Sequence, residues 1–187
     1  MKTLILNGSP RKNGDTASLL ALVKQDLQGE ILEVIAYHSG ISPCIDCRYC
    51  WTKPGCAIRD EMQAVYDFIQ DCDNVLLASP IYFSELTGKL LDLASRFQTY
   101  YAAKTFRKVA APIRKPKKGA VILVGGGDGR MDRALQTARI ILHHLNCTEI
   151  HPPVCSLKTN VLPAAEDGQA CAGAREIAAY FGTRANA

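Results

Sequence analysis

Four cysteines lie close together in the segment PCIDCRYCWTKPGC, which runs from Pro43 to Cys56. Two residues separate each of the first three cysteines, and five residues separate the third from the fourth. Cysteine thiolates bind metals and iron-sulfur clusters, and they attack disulfides. The spacing therefore allows a metal or cluster site, a disulfide knot or a redox relay. The four candidate ligands are Cys44, Cys47, Cys50 and Cys56.

The start of the chain bears on the choice between these sites. The apolar run MKTLIL is too short for the apolar core of a signal peptide, and it leads directly into Asn7-Gly8-Ser9-Pro10 without a cleavage site. The sequence contains no run of 18 consecutive apolar residues, so it predicts no membrane helix. We therefore expect a cytoplasmic protein with no membrane partner. Because that compartment is reducing, structural disulfides are disfavoured there.

The spacing also separates the possible metal sites. Structural zinc sites usually pair two C-x2-C motifs across a longer separation, whereas three cysteines at successive x2 spacing favour a [4Fe-4S] cluster. Zinc remains an alternative, as does a site without metal whose thiols are small buried side chains. The scattered cysteines have no ligand spacing, and we expect them to be small apolar residues: Cys72, Cys147, Cys155 and Cys171.

Composition and pattern predict the elements that must position these cysteines. The chain has 187 residues, of which 48% are hydrophobic and 21% charged, as is usual for one globular domain over 1–187. Apolar runs alternate with segments of helical period, which is typical of βαβ units around a parallel, doubly wound sheet. The predicted strands are Thr3–Asn7, Ile31–Tyr37, Asn74–Ser79, Ala120–Val124 and Cys147–Val154. A cysteine-rich segment at 43–58, called the cysteine loop below, follows the second strand.

In such a sheet, ligands bind outside the carboxyl ends of the strands. The loop after the first strand offers hydroxyls at Ser9 and Thr16, the guanidinium of Arg11, glycine N–H groups and a helix N-terminus. This combination suits a phosphate, although the loop matches neither the Walker A nor the dinucleotide motif. The alternative is a loop that only turns the chain and caps a helix.

The loops after the third and fourth strands are also unusual. Tyr82 and Phe83 follow the third strand and suit a flat ring ligand, unless they form a locally buried pair. The run Gly125–Gly129 follows the fourth strand, where it either lets backbone approach a ligand or forms a flexible turn. Three such loops at neighbouring strand ends indicate one shared site.

A basic stretch at about 100–118 contributes to the formal net charge of +4. We interpret it as a loop that is either simply solvated or attracts an anionic, phosphate-bearing nucleotide. Nucleic acid is a poor candidate partner, because neither interleaved aromatics nor a groove-reading motif accompanies the stretch.

Three loop motifs resemble the flavin-binding loops of flavodoxin-like NAD(P)H-dependent FMN reductases. They are GSPRKNGDTA, SPIYFSELTGKL and the glycine run after the fourth strand. The segment PCIDCRYCWTKPGCAIRDEM resembles the cysteine motif of the iron-sulfur flavoproteins, a branch of that family. The resemblance extends from Met1 to about Asn146. It implies a flavodoxin-like α/β fold, with a five-stranded parallel sheet of order 2-1-3-4-5 and helices on both faces.

The resemblance also implies roles for individual residues. The FMN phosphate would lie among Ser9, Arg11, Asn13, Thr16 and Ala17. The isoalloxazine ring would lie beside Pro80, Ile81, Tyr82 and Phe83, with Gly125, Gly126 and Gly127 near its other edge. The four cysteines of the cysteine loop would hold the cluster. Two departures stand out: Asp15 and Asp60-Glu61 replace a common Asn and a common pair of aspartates, and Asp15 puts an acid next to the proposed phosphate.

The resulting hypothesis is an FMN-dependent oxidoreductase that passes reducing equivalents from NAD(P)H or an electron carrier to a quinone, flavin or iron-sulfur acceptor, with a [4Fe-4S] cluster as a second centre. The flavin carries the redox chemistry, so we expect no catalytic side chain. The resemblance implies a homodimer or homotetramer. Two alternatives remain: a flavodoxin-type electron carrier without enzymatic activity, and a zinc-stapled binding domain without flavin.

Overall fold

The fold centres on a parallel β-sheet covered by helices on both faces. The computed structural model describes residues 1–183. The strands are β1 Lys2–Asn7, β2 Glu30–Ile35, β3 Asn74–Pro80, β4 Lys117–Gly125, β5 Cys147–Ile150 and β6 Val154–Leu157. The helices are α1 Asp15–Asp26, α2 Tyr49–Thr52, α3 Met62–Asp71, α4 Gly88–Ser95, α5 Gln98–Thr105, α6 Asp132–His144 and α7 Gly168–Phe181. The strand order β2-β1-β3-β4-β5 confirms the predicted topology.

The fifth position in the sheet is shared by two short strands. β5 pairs with the start of β4, β6 pairs with its end, and both pairings are parallel. Pro152 and Pro153 lie between them, and proline lacks the N–H that a continuous ladder needs. The predicted strand Cys147–Val154 was therefore wrong in extent, because it stopped where the second half of the edge begins.

Successive side chains of each strand enter two separate cores. Leu4 and Leu6 of β1 pack in a cluster with residues of α3, α4 and α6. Ile5, between them, packs in a second cluster with residues of α1 and α7. This alternation follows from the pleat of a strand, and burial on both faces explains the continuous apolar runs of β3 and β4.

The basic loop is shorter than predicted, since α5 covers its beginning and β4 covers its end. Lys117 and Lys118 are buried at the amino end of β4. Lys118 Nζ donates to the Tyr180 carbonyl at 3.1 Å and also to the Thr183 hydroxyl. Burial lowers the pKa of Lys117. These two lysines are structural and lie at the end of the sheet opposite the predicted ligand loops, so they cannot attract a nucleotide to those loops.

None of the helices within residues 1–183 combines the length and the apolar character that crossing a membrane requires.

Candidate functional site

The loop after β1 is shaped by its own polar groups. The Ser9 N–H donates to Asn7 Oδ1 at 2.9 Å, and the Arg11 N–H donates to Ser9 Oγ at 3.3 Å. Ser9 and Thr16 are buried, whereas Arg11 is exposed. The first turn of α1 follows, and its leading N–H groups have no partner within the helix. This loop thus carries hydroxyls, N–H groups and a guanidinium within a few residues of a helix N-terminus, and such groups suit a phosphate.

Asn7 is held in place from β2. Its Nδ2 donates to Glu33 Oε1 at 2.9 Å, while Lys24 Nζ donates to Glu33 Oε2 at 2.8 Å. With its amide nitrogen fixed, the Asn7 oxygen accepts from Ser9. Neither Asn7 nor Glu33 was predicted from the sequence, although a glutamate within the apolar strand EILEVI was a usable signal.

The carboxylate of Asp15 has a partner far away in the sequence. Asp15 Oδ1 accepts from the Ala164 N–H at 2.9 Å, which ties the start of α1 to the segment before α7. Ala164 is fully buried. This acid, which the resemblance places beside the phosphate, therefore also has a structural role.

The loops after β1 and β3 are joined through Thr87. Thr87 Oγ1 donates to the Gly8 carbonyl at 2.8 Å, and the Thr87 N–H donates to Ser79 Oγ at 3.2 Å. A Cβ at Gly8 would lie 2.8 Å from Thr87 Oγ1, closer than such atoms pack. Gly8 is thus required by the approach of these two loops.

The aromatic residues after β3 lie on a tight turn. Tyr82 and Glu85 exchange both backbone hydrogen bonds, at 2.9 and 3.0 Å, and the central residues Phe83 and Ser84 have φ of 52° and 62°. Positive φ at both central positions is the mark of a type I′ turn, which favours glycine and asparagine. The turn leaves Phe83 fully exposed and Tyr82 44% exposed, so the two do not form a buried pair.

This turn is fastened to the first turns of α6. The Ala134 N–H donates to the Ser84 carbonyl at 3.1 Å, and the Thr137 hydroxyl donates to Glu85 Oε2 at 2.9 Å. A strained backbone that is held from outside and presents a free aromatic ring is typical of a binding site.

The glycine run after β4 packs against the segment after β6. The Gly125 carbonyl accepts from the Thr159 N–H at 3.0 Å, and the Gly127 carbonyl accepts from the Lys158 N–H at 2.9 Å. A Cβ at Gly126 would lie 2.9 Å from side-chain atoms of Asn160. A larger residue at position 126 would therefore displace the exposed side chain of Asn160.

The cysteine loop contains one short helical turn, α2, and encloses a cavity of about 500 Å³. Several contacts hold the loop, among them the following three. Cys44 N–H donates to Ser95 Oγ at 2.9 Å, Arg107 Nε donates to the Cys50 carbonyl at 3.0 Å, and Trp51 stacks on Phe106 at 4.0 Å. The residues that line the cavity include Cys44, Cys47, Cys50, Cys56, Trp51, Arg96, Thr99 and Phe106.

The four thiols are of the type that binds an iron-sulfur cluster, but they are not arranged at coordination distance around one point. Within the described residues, no three His, Cys, Asp or Glu side chains are placed to hold a metal ion. Nevertheless, all four cysteines face one cavity. Burial and then the nearby charges of Cys44, Cys56 and Cys47 raise the pKa of Cys50. Such mutual repulsion is relieved by a cationic centre, so the donor chemistry fits.

Arg96 connects the two ends of the cysteine loop, and its side chain is fully buried. Its Nη1 donates to Asp60 Oδ2 at 2.7 Å and to the Ser42 carbonyl at 2.8 Å. Its Nη2 donates to Asp60 Oδ1 and to the Ile58 carbonyl, both at 3.2 Å. Burial alone would raise the pKa of Asp60, but hydrogen bonds from Arg96 and from two backbone N–H groups lower it. No role for Arg96 was predicted from the sequence.

The sequence profile of one protein family, described as NADPH-dependent FMN reductase, matches residues 1–160. The chain belongs to the NADPH-dependent FMN reductase family. This membership confirms the family predicted from the three loop motifs, and the FMN in the family description supports the predicted cofactor.

Curated relatives of this FMN reductase family member are iron-sulfur flavoproteins, in agreement with the predicted branch. One from Archaeoglobus fulgidus is 30% identical over 133 residues, 70% of this chain and 57% of the relative. One from Methanosarcina thermophila is 26% identical over 147 residues, covering 76% and 73% of the two chains. One from Clostridioides difficile is 33% identical over 110 residues, covering 56% and 49%. The chain thus spans about half to three quarters of the length of these relatives.

Solved structures show the same fold. An NAD(P)H:quinone oxidoreductase from Methanothermobacter marburgensis superposes with a TM-score of 0.72 at 15% identity, over 100% of this chain and 98% of the other. An FMN-dependent NADH-azoreductase from Bacillus anthracis, in complex with FMN, gives 0.66 at 16% identity, over 98% and 100%.

In this FMN reductase family member, the predicted residues fall into two groups. The first group lies at or just beyond the carboxyl ends of β1, β3 and β4, and comprises Ser9–Ala17, Pro80–Phe83 and Gly125–Gly127. The cysteines instead pack beside the far end of α4 and beside α5. The eight residues of α4 correspond to a length of about 12 Å. The two predicted sites are therefore neighbours but not the same pocket.

Proposed function

We propose that this chain is an FMN-dependent oxidoreductase that passes reducing equivalents from NAD(P)H or an electron carrier to a quinone, flavin or iron-sulfur acceptor. The observation that carries the proposal is the meeting, at one sheet edge, of the polar loop after β1 with the exposed aromatic turn after β3. The two are joined by the hydrogen bond from Thr87 to Gly8. A ligand with a phosphate at one end and a flat ring at the other fits this pairing.

The phosphate end is assigned to the loop after β1. Thr16 is buried, and no partner of its hydroxyl is found in residues 1–183, so that hydroxyl is free to donate to a phosphate oxygen. Arg11 is exposed and adds a charge-assisted bond. Asn13 and Ala17 complete the predicted phosphate site at the start of α1, where the helix dipole favours negative charge.

The ring end is assigned to the loops after β3 and β4. Ile81 N–H donates to the Val124 carbonyl at 2.8 Å, which joins these loops and places Pro80 and Ile81 beside Gly125. Bound FMN would supply the redox chemistry. Tyr82 and Phe83 would cover its ring, and the chain needs no side chain as an acid or base.

The second centre is assigned to the cysteine loop. Cys44, Cys47, Cys50 and Cys56 would hold a [4Fe-4S] cluster in the 500 Å³ cavity that they line. Bound there, the cluster would exchange single electrons with the flavin or with a partner protein.

An absorption spectrum of protein purified without oxygen, with FMN, iron and acid-labile sulfide determined on the same sample, tests both centres. We expect one FMN per chain and about four irons, in line with the cluster type. The variant Cys50→Ser should lose iron and keep FMN, while Cys171→Ser serves as a matched control. No flavin, even after incubation with FMN, would contradict the proposal.

Steady-state oxidation of NADH and NADPH, with a quinone or a ferric acceptor, tests the enzymatic part. Turnover by the FMN-loaded protein is expected. Absence of turnover in protein that carries FMN would favour the electron-carrier alternative, whereas zinc without flavin would favour the binding domain.

A homodimer or homotetramer is also proposed. It is supported by apolar side chains exposed around the cysteine cavity, namely Ile45, Tyr101 and Phe106. Light scattering after size exclusion should give two or four chains, and Ile45→Asp should weaken the assembly. A monomeric wild-type protein would contradict this part.

A further inference from the structure

Arg96 is unusual among the charged residues because its side chain is completely buried while it also lines the cysteine cavity. Its two terminal nitrogens are fully engaged by Asp60 and by the carbonyls of Ser42 and Ile58. Its third nitrogen, Nε, is buried and has no partner within residues 1–183. A buried donor without an acceptor is costly, so this N–H indicates an acceptor that the protein chain does not supply.

The cysteine cavity indicates where that acceptor would lie. Cys56 lines the same cavity as Arg96. Thiolates and the sulfides of a cluster carry negative charge and accept N–H bonds. The cavity that Arg96 shares with Cys56 therefore matches an anionic, sulfur-rich group.

Arg96 also binds both ends of the cysteine loop. Ser42 precedes the first cysteine, Ile58 follows the last, and one guanidinium binds the carbonyl of each. The planar fork of arginine can make these bonds and a two-bond contact with a carboxylate at once, which the single ammonium of lysine cannot.

We propose that Arg96 is the positioning residue of the cysteine site: its terminal nitrogens close the loop around the cavity, and its free Nε–H donates to a cysteine sulfur or sulfide of the group bound there. This inference rests on the proposed cluster for the second of these roles only. The first role, closure of the loop, applies to the protein with or without iron.

The variants Arg96→Gln and Arg96→Lys remove both roles, and two different measurements then test each role by itself. Glutamine removes the charge and the Nε–H, whereas lysine keeps a charge but cannot bridge both ends of the loop. Lys117→Gln is the matched control, since Lys117 is an equally buried cation at the opposite edge of the sheet. FMN content should stay within twofold of wild type in all three, because none of them touches the loops after β1, β3 or β4.

Loop closure is measured in the iron-free protein as the rate at which a thiol reagent labels the four cysteines. Both Arg96 variants should be labelled several-fold faster than wild type, and Lys117→Gln should not. Equal labelling of Arg96→Gln and wild type would overturn the closure role. This result does not depend on whether the wild-type protein contains iron.

The Nε–H role is read from protein that contains the cluster, by its iron content and its midpoint potential. Both Arg96 variants should retain several-fold less iron. In Arg96→Gln the potential of the remaining cluster should shift to more negative values, because a cationic donor stabilises the more negatively charged reduced form. An unchanged potential in Arg96→Gln would overturn this role. If wild-type protein binds no iron, the proposed cluster fails, the Nε–H role fails with it, and labelling alone decides the closure role.

Discussion

Arg96 and Asp60 form a two-bond ion pair, with Nη1 2.7 Å from Oδ2 and Nη2 3.2 Å from Oδ1, between the two ends of the cysteine loop. Asp60 also accepts from the Ser42 N–H at 3.0 Å and from the Met62 N–H at 3.1 Å. One carboxylate thus joins the start of the loop, the start of α3 and the end of α4. None of these partners of Asp60 was predicted from the sequence.

The variant Asp60→Asn should lower the free energy of unfolding by about 3 kcal/mol, because it leaves the buried guanidinium without a countercharge. Arg59→Gln, one residue away and exposed, is the control and should change it by less than about 0.5 kcal/mol. Denaturant titration at pH 7 measures both. A loss below about 1 kcal/mol in Asp60→Asn would contradict a stabilising ion pair.

The contribution of Asp60 should also depend on pH. Its pKa is lowered from the usual 3.8 in the folded protein, so its stabilisation is complete above about 3.8 and is lost as the pH falls through the lower folded value. The stability difference between wild type and Asp60→Asn should therefore be constant near neutral pH and shrink below about pH 4. A difference that stays constant down to pH 2 would contradict the assigned pKa shift.

The variant Thr87→Val should reduce stability by about 1–3 kcal/mol, since it leaves the buried Gly8 carbonyl without its donor. It should also weaken FMN binding several-fold, because Gly8 begins the phosphate loop. Thr87→Ser keeps the hydroxyl and should restore most of the FMN affinity. Fluorescence titration with FMN and thermal unfolding check both effects, and equal affinity of Thr87→Val and wild type would contradict the link between the loops.

The variant Asp15→Asn should bind FMN more tightly by several-fold, because it removes a negative charge close to the proposed phosphate while keeping an oxygen that can accept from Ala164. Asp15→Ala loses that acceptor as well and should be destabilised by about 1 kcal/mol. FMN titrations at low and high salt measure the charge effect, which should be smaller at high salt. Unchanged affinity in Asp15→Asn at low salt would place the phosphate elsewhere.

The variant Phe83→Ala should leave the free energy of unfolding within about 0.5 kcal/mol of wild type, because the ring is fully exposed among residues 1–183. If Phe83 covers the flavin, the variant should raise the KM for the acceptor or the Kd for FMN. Ser84→Gly, at φ 62°, should instead stabilise the turn by about 1 kcal/mol. Phe83→Ala with wild-type kinetics and wild-type FMN affinity would remove Phe83 from the site.

Much of the fold followed from local patterns. The buried strands were predicted to within a few residues because they are continuous apolar runs bounded by turn residues, as in NVLLAS of β3. The family followed from three loop motifs in a specific order. The second strand at this position, β6, was not predicted, since a proline pair can end a strand or merely interrupt it, and only pairing with β4 decides between the two. The burial of Lys117 and Lys118 was not predicted. A lysine in a basic stretch is expected to be solvated, and the carbonyls that accept from these two Nζ atoms are known only from the structure.

The sequence by itself determined the chemistry available to this protein: four thiols in one loop, a polar loop before a helix N-terminus, two aromatics at a strand end and a strand order compatible with a shared site. These depend on residue type and spacing, which are local. Only the tertiary structure decided which distant groups act on them. Arg96 reaches Ser42 and Ile58 across 54 and 38 positions, and Asp15 reaches Ala164 across 149. Such partners are fixed by packing and by the need of buried polar groups for hydrogen bonds, and no local pattern in the chain encodes them.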